Sequence, residues 1–589
     1  MESRIRKLTG VYGIVAVLLA LILVAVCYNF EGFFPKQESI IDEQTYFAAG
    51  VGLKSFSSYE ELRDFLIENS RLQGVFPFLG PWDLELIPEI PAYVYGEKLE
   101  YSTTNIQVAG VDEADIVKTD GNYIYLISGR EVLILSAYPP EDAQILSKIT
   151  FTNDSYPIGI FINKNRLAIL GCKYTIQNIP SYYRYHPYII DGKTFINIYD
   201  ITNRSNPLFL NDFMISGSYF SSRMIGDYVY FVVSQPAYIV YDTVVLPKIY
   251  TDEGIREISV SKIYYSNITD ECFAYTTLVA INIQNLDEEP NYVTILLGAT
   301  SNMYVSLHNV YVTFLNMDGD TLIYRIRVEN STLLCEAEGK VPGRILNQFS
   351  MDEYNGYFRT ATTKRVNGNL QNNVYVLNMN LSIIGKLENI TEAFNEQIDS
   401  ARFIGNRCYL TTSVVRRDPF FVIDLEDPAQ PKVLGYLKIP GFTRYLHPYD
   451  ETHIIGIGIN ENNNVKISLF DVSNVSSPIE LGSYTVDAAW SSTPVLWDHK
   501  AFLFDKARDL LVLPIQIRYN SYGWQGAYVF NITLNGIALK GSVTHLAEDG
   551  FYAIKRALYI ENVLYTISDG KVKMNSLEDL TLIKEIKLD

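Results

Sequence analysis

The sequence predicts an all-β fold, a single large β-propeller of eight or nine four-stranded blades, preceded by a transmembrane helix and one short amphipathic helix. Helical periodicity disappears after about residue 115, and a unit of short apolar strands recurs from there to the C-terminus. Tyrosine is abundant, at 44 of 589 residues, and aromatic and β-branched side chains suit strands. No linker composition separates the units, which favours one ring of blades over a row of β-sandwiches.

The repeat is clearest where three of the units end. Segments that begin at Asp200, Asp424 and Asp471 each carry Pro seven residues later and Leu ten residues later. Asp can cap a turn, and Pro can begin a strand only where its missing N–H donor is tolerated, as at a sheet edge. An edge strand closing each unit is typical of the outer side of a propeller blade.

Nine candidate units can be counted outward from these three segments. The repeat pattern is weakest in units four and five, so eight blades is the alternative. The nine units start near Asp115, Pro157, Tyr219, Asn302, Gln348, Ile398, Thr443, Thr493 and Phe551.

The N-terminus carries a membrane-anchoring pattern. Three basic residues precede an apolar run, Gly10 to Tyr28, that contains no charge. Its length is sufficient to cross a bilayer and exceeds the apolar region usual in cleaved signal peptides. We therefore expect residues 1–9 in the cytoplasm, residues 10–28 as an anchor or uncleaved signal, and the rest outside the membrane. The alternative is a protein secreted after cleavage.

Residues 29–100 are predicted to be a spacer that contains one helix over 58–72, with the propeller following over 101–589. Ser58 and Glu61 have the spacing of a capping box. Apolar residues then recur at helical spacing, at Tyr59, Leu62, Phe65, Leu66 and Leu72.

One stretch resembles a known family. Thr104–Gly121, TNIQVAGVDEADIVKTDG, followed by YIYLIS, resembles the opening signature of archaeal and bacterial exported proteins with a C-terminal β-propeller distantly related to WD40 repeats. The upstream LKSFSSYEELRDFL is similar to the segment that precedes the propeller in that family. The resemblance implies architecture and an extracytoplasmic place, and it implies no catalytic residues. The Trp-Asp dipeptides of true WD40 repeats do not recur.

Charge and motifs narrow the function classes. A net charge of −19 excludes a nucleic-acid partner, because phosphate binding depends on Lys and Arg. The six His form no metal-ligand pair, and neither a Gly-x-Ser-x-Gly elbow nor a phosphate-binding glycine loop is present. The sequence therefore predicts no catalytic residues and no resident cofactor, apart from the calcium interpretation that follows.

Two sets of residues are candidate sites. The acidic set, Asp112, Glu113, Asp115 and Asp120, offers the oxygen ligands that Ca²⁺ takes. The alternative is that these carboxylates cap backbone N–H groups or pair with Lys118.

The aromatic set belongs to predicted loops between the second and third strands of units two and eight. Aromatic residues of this kind suit a recognition surface. The alternative is that the loops have no binding role and are surface additions to a stable scaffold. The set is Tyr182, Tyr183, Tyr185, Tyr188, Tyr522 and Trp524.

Export permits two covalent modifications. Disulfides could join the four Cys of the exported part in three pairings that the sequence does not separate: Cys172, Cys272, Cys335 and Cys408. Surface glycosylation has eight acceptor sequences: Asn153, Asn203, Asn267, Asn330, Asn380, Asn389, Asn474 and Asn531.

The leading functional hypothesis is a membrane-anchored, outward-facing propeller that binds a protein, peptide or glycan partner on its loop-rich face. An exported enzyme, a hydrolase or a cofactor-using dehydrogenase with its site in the central channel, is the first alternative. A structural component of the cell envelope is the second. Buried, convergent Asp, His or Arg side chains in the channel would favour the enzyme.

Overall fold

A computed structural model describes residues 53–69, 99–178, 188–240, 242–251, 254–266, 273–298, 300–413, 417–519, 522–547 and 550–588. Nine successive sheets of four or more strands make up this part of the chain. The ring of sheets closes, because the first and the last share one hydrophobic core, in which Leu126 and Leu133 pack with Leu558 and Tyr565. The single propeller of four-stranded blades is confirmed.

The sheets are numbered here as blades 1 to 9 in chain order, with strands given from the inside outwards. Blade 1 has Val117–Thr119, Tyr123–Ser128, Glu131–Ser136 and Gln144–Thr150. Blade 2 has Ser155–Asn163, Arg166–Asn178, Tyr188–Asp200 and Leu208–Ser216, with Lys248–Thr251 and Gly254–Glu257 added outside. Blade 3 has Ser218–Ile225, Tyr228–Pro236, Ala274–Asn282 and Asn291–Leu297, with Ile263–Tyr265 and Lys54–Ser55 added outside and Val111–Glu113 added inside.

Blades 4 to 6 follow the same plan. Blade 4 has Thr300–Val305, Asn309–Leu315, Thr321–Glu329 and Thr332–Val341. Blade 5 has its inner strand in two pieces, Arg344–Ile345 and Met351–Tyr354, then Tyr357–Val366, Asn369–Asn378 and Ile383–Leu387. Blade 6 has Gln397–Ile404, Arg407–Ser413, Arg417–Asp424 and Lys432–Pro440.

Blades 7 to 9 complete the ring. Blade 7 has Phe442–Pro448, His453–Ile459, Val465–Asp471 and Ile479–Thr485. Blade 8 has Trp490–Ser492 and Leu503–Asp505 as its split inner strand, then Leu510–Tyr519, Tyr522–Thr533 and Gly536–Val543. Blade 9 has Arg556–Ile560, Val563–Ile567, Lys571–Ser576 and Leu582–Lys587.

Short elements lie between the blade strands. Two small hairpins are formed by Ile239–Val240 with Thr243–Val244 and by Leu546–Ala547 with Gly550–Phe551. Single turns of 3₁₀-helix are Pro140–Asp142, Val260–Lys262, Gln348–Ser350, Thr391–Ala393, Pro494–Leu496 and His499–Ala501.

The repeated Asp caps its turn as predicted. Asp200, Asp424 and Asp471 each end a third strand, and each accepts the backbone N–H two residues on, at 2.7, 3.2 and 2.8 Å. The Asx turn satisfies a donor that the strand ladder leaves free. The edge strand then begins immediately after the repeated Pro, at residues 208, 432 and 479.

The repeated Leu is a β-bulge, and the residue after it sets the contact between blades. The register shifts so that Leu434 and Leu481 have no partner residue in the neighbouring strand. A Cβ on Gly435 would collide with the carbonyl oxygen of Val475 in the turn of blade 7. Glycine is therefore required where the turn of the next blade lies on the bulge.

The predicted helix, α1, covers Tyr59–Asn69 and lies on blade 3. Ser58 Oγ accepts the N–H of Glu61 at 3.1 Å, while the Glu61 carboxylate accepts the N–H of Ser57 at 2.7 Å. Leu62 and Leu66 are buried in the core shared by blades 2 and 3. The amphipathic helix is therefore part of the propeller body.

The predicted anchor over residues 10–28 lies outside the described residues. Within the described ranges, no helix combines the length and apolar character needed to span a membrane.

Candidate functional site: the axial segment

Residues Asn105–Asp115, here called the axial segment, cross the centre of the ring. Val111–Glu113 pairs with the innermost strand of blade 3, on the side away from the outer strands. Asp115 forms a single bridge with Ile160 of the innermost strand of blade 2. The segment that resembles a family signature therefore lies along the propeller axis.

Blades on the other side of the ring bind the start of this segment. Asn105 Nδ2 donates to Tyr445 Oη of blade 7 at 3.2 Å and to the backbone carbonyl of His499 at 3.1 Å. Gln107 Nε2 donates to the carbonyls of Gln348 and Met351 in blade 5, at 3.2 and 3.3 Å. These two side-chain amides bind the part of the segment that precedes its strand pairing with blade 3.

Buried ion pairs hold the end of the segment. Glu113, 2% exposed, lies 2.5 Å from the guanidinium of Arg223 in blade 3. The same guanidinium donates to Gln348 Oε1 at 2.7 Å. Burial raises the pKa of Glu113 to about 7, against the attraction of Arg223. The pair thus fastens the segment to blade 3 and joins blade 3 to blade 5.

A second pair joins the segment to the last blades. Arg556 of blade 9 lies 2.9 Å from Asp115 and 2.7 Å from Asp498 of blade 8. Burial alone would lower the pKa of Arg556, but the two carboxylates raise it above its ordinary value. Lys500 Nζ donates to the carbonyl of Ala114 at 2.9 Å. Blades 2, 3, 8 and 9 therefore meet at Glu113–Asp115.

Two histidines and an aromatic cluster lie at the opposite end of the segment. His499 Nε2 bonds the carbonyl of Asn105 at 3.0 Å, and Tyr445 Oη bonds His447 Nδ1 at 3.0 Å. Burial lowers the pKa of both histidines well below the ordinary value, with nearby cations, including Arg402, adding to the effect. Neutral imidazoles are therefore expected here across the physiological range.

The structure does not bring the four predicted acidic residues together. Asp112 pairs with Lys118 at 2.6 Å. Asp120 caps the N–H groups of Asn122 and Tyr123 and lies 3.3 Å from Arg204. With Glu113 and Asp115 paired as above, capping and ion pairing account for all four. No group of three or more metal-ligating side chains occurs among the residues described.

The predicted aromatic set is divided. Tyr182, Tyr183 and Tyr185 lie outside the described residues, and Tyr188 and Tyr522 begin strands. Trp524 is half-buried against Tyr528, with ring centroids 5.3 Å apart.

The long loop predicted between the second and third strands of unit eight is wrong. The second and third strands of blade 8 continue in register to Tyr519 and Tyr522. The strand pattern of apolar residues, including Ile515 and Ile517, simply runs on to the end of the hairpin.

The candidates for covalent modification are placed as follows. Cys172, Cys335 and Cys408 are buried free thiols in blades 2, 4 and 6, so the predicted disulfides do not join these three. The three lie in strands of different blades, whereas a disulfide needs neighbouring Cβ atoms. Cys272 and Asn267 lie outside the described residues. The other seven glycosylation candidates are exposed, so glycosylation stays a prediction.

Sequence reasoning missed the partners of the axial segment. Arg223 and Arg556 are each a buried cation in an innermost strand that also carries apolar residues. A lone Arg in such a strand was the available signal, because a buried charge requires a partner.

The β-propeller domain family model matches residues 101–580. The chain belongs to this family. An uncharacterized protein of Methanocaldococcus jannaschii is 28% identical over 657 aligned positions, which cover 98% of each chain. An uncharacterized protein of Archaeoglobus fulgidus is 27% identical and covers 91% of this chain and 95% of its own. The predicted resemblance to archaeal propeller proteins is thereby confirmed.

Solved structures similar to this propeller chain include Sqt1 from Chaetomium thermophilum, at 11% identity and a TM-score of 0.36. It covers 61% of this chain and 84% of its own. A protein from Lactobacillus plantarum is also similar, at 11% identity and a TM-score of 0.32, covering 55% of this chain and 93% of its own.

Proposed function

We propose that this β-propeller is a membrane-anchored, extracytoplasmic binding scaffold for a protein, peptide or glycan partner. The observation that carries the proposal is the axial segment. A propeller enzyme would place its site in the central channel, and here the chain itself crosses that channel.

Buried Asp, His and Arg side chains do converge on the axis, as the enzyme hypothesis expects. The carboxylates among them are all held in ion pairs, however: Glu113 binds Arg223, and Asp115 and Asp498 bind Arg556. Groups engaged in this way stabilise the ring and are not free to exchange protons with a substrate. The axis therefore supports a structural role, and partner recognition falls to the outer surfaces.

One face of the ring offers a suitable surface. The connections between second and third strands share a face with the start of each inner strand, and we call this the insertion face. On it, Trp490 is 39% exposed and lies opposite Arg518, whose guanidinium is 5.7 Å from the indole. Trp and Arg are the residues most enriched where binding energy concentrates.

The insertion face also carries the longest additions to the blade plan. The connection after Pro236 in blade 3 includes the strand Lys248–Thr251, which pairs with the outer strand of blade 2. Residues 179–187, which contain three of the predicted tyrosines, connect the second and third strands of blade 2. The apolar run at residues 10–28, with its basic flank, supports anchoring with this body outside the membrane.

Affinity capture from native membranes tests the proposal. Full-length protein, lightly crosslinked in place, is expected to retain a stoichiometric partner. W490A, or replacement of residues 179–187 by a short Gly-Ser turn, is expected to release it. L534A is the matched control, because Leu534 is 46% exposed in a blade 8 turn on the opposite face.

A partner retained equally by all variants would place binding elsewhere and contradict the role of the insertion face. Capture of nothing by the wild-type protein would contradict the scaffold proposal itself.

A further inference from the structure

Arg402 is an unpaired cation in the interior of the propeller. It lies in the innermost strand of blade 6, is 4% exposed, and its NH1 atom has no hydrogen-bond partner. Its guanidinium lies over the ring of Phe349, 4.8 Å from the centroid. An aromatic face attracts a cation but supplies no hydrogen-bond acceptor for the guanidinium N–H groups.

The other buried arginines near the axis differ from Arg402. Arg223 has Glu113, Arg556 has Asp115 and Asp498, and Arg359 has Asp352. Among the described residues, no carboxylate lies within ion-pair distance of Arg402. Arg402 is therefore the one of these four arginines whose guanidinium has no carboxylate in contact, and an unpaired buried charge is strongly unfavourable.

Further unpartnered polar atoms lie around the same phenylalanine. The Phe349 ring meets His499 edge-on at 5.5 Å, and Ser350 follows it in the chain. Ser350 Oγ, His499 Nδ1 and Asn105 Oδ1 are all buried with no hydrogen-bond partner. Native interiors satisfy such groups with ordered water or a ligand, and their concentration beside Arg402 marks an interior polar site.

We infer that the Arg402 guanidinium binds a small monovalent anion inside the propeller, beside the start of the axial segment. The anion lies against the Arg402 guanidinium and accepts the N–H groups for which Phe349 offers no acceptor. Ordered water bridging to Asn105 and His499 would complete its surroundings. This inference does not depend on the proposed scaffold function, because the site is interior.

Bromide and chloride are the probes. Crystals of the full-length protein soaked in bromide are expected to show an anomalous peak in contact with Arg402. Thermal unfolding is then compared in sodium chloride and sodium gluconate at equal ionic strength, because sodium screens the net charge of −19 equally in both. For a dissociation constant of about 10 mM, 200 mM chloride should raise the folded-to-unfolded ratio about twenty-fold.

R402M should abolish both the bromide peak and the difference between chloride and gluconate. R444M is the matched control, because Arg444 also lies over an aromatic ring, Phe442 at 5.4 Å, but is exposed. If R402M fails to fold, the presence or absence of the bromide peak at Arg402 in the wild-type protein decides whether the anion site exists. Absence of that peak, or an equal chloride effect in folded R402M, would overturn the inference.

Discussion

Glu113 and Arg223 form an ion pair 2.5 Å long at the centre of the ring, where each residue is no more than 3% exposed. The acid belongs to the axial segment and the base to blade 3. A segment that precedes the first blade is thereby fixed to the third.

Breaking this pair on one side is expected to be costly. E113Q leaves Arg223 buried without its anion, and we expect a loss of about 3–5 kcal/mol in the free energy of unfolding. The double variant E113Q/R223M should recover much of it, because both charges are then gone. Urea unfolding at pH 8.5, where Glu113 is ionised, measures the free energy of unfolding of the single and the double variant.

The control for that cycle is E329Q. Glu329 pairs with Arg327 at the surface with 71% of its side chain exposed, and such pairs contribute about 0–1 kcal/mol. If E113Q costs no more than E329Q, the axial pair does not fasten the segment.

Stability should fall in acid because of buried histidine. His545 is fully buried between Ser568 Oγ and Thr566 Oγ1, at 2.8 and 2.9 Å. Burial, with nearby lysines, lowers its pKa to about 3. Between about pH 6.5 and this value the unfolded chain binds a proton that the folded chain does not. The contribution of His545 to the free energy of unfolding is therefore complete above pH 6.5 and is lost progressively as the pH falls below that value.

The expected slope from His545 alone is about 1.4 kcal/mol per pH unit. H545N should flatten the pH dependence of the unfolding free energy by that amount between pH 6 and 4. H308N, at an exposed position, is measured in parallel. An unchanged slope in H545N would contradict the assignment.

The glycine of the bulge should be intolerant of substitution where the next blade is close. A Cβ on Gly435 would collide with the Val475 carbonyl oxygen, so G435A should destabilise by about 1–3 kcal/mol. Gly482 holds the same repeat position in blade 7, but its Cβ would meet only Gly536 Cα at 3.5 Å. G482A should therefore be tolerated, and equal melting temperatures for both variants would refute the role of the blade contact.

Three cysteines should behave as inert thiols. Burial raises the pKa of Cys335 to about 12 and raises the pKa of Cys172 and Cys408 as well. Since the thiolate is the reactive form, iodoacetamide should label none of the three in the native protein. All three should label in urea without reductant, as peptide mapping would show. Labelling that requires a reductant would indicate disulfides instead.

Local features of the fold could be predicted from the sequence. The repeated Asp and Pro specify a turn and an edge strand through interactions within a few residues, and α1 is specified by its cap and its apolar face. Each unit of the propeller has its own second strand rich in apolar residues, so the repeat was visible despite the variation among blades.

The axial segment could not be placed in the same way. Its four carboxylates were interpreted together because they are close in sequence. Their actual partners, Arg223 and Arg556, lie 110 and 441 residues away from the acids they bind, and no local pattern links them. The aromatic set was misplaced for a different reason. Tyr522 and Trp524 continue a strand ladder, and aromatic residues alone do not distinguish a strand from an exposed loop because both accept them.

The contact between Asp115 and Arg556 also determines when the fold can be completed. The acid lies near the start of the propeller and the base in its last blade, and the two are 441 residues apart. A chain that emerges N-terminus first presents the axial segment before any blade can enclose it. Asp115 stays hydrated, and the segment stays accessible to proteases, until the C-terminal blade arrives. Burial of this short stretch therefore coincides with completion of the whole protein, which makes its protection a direct readout of a full-length, finished chain.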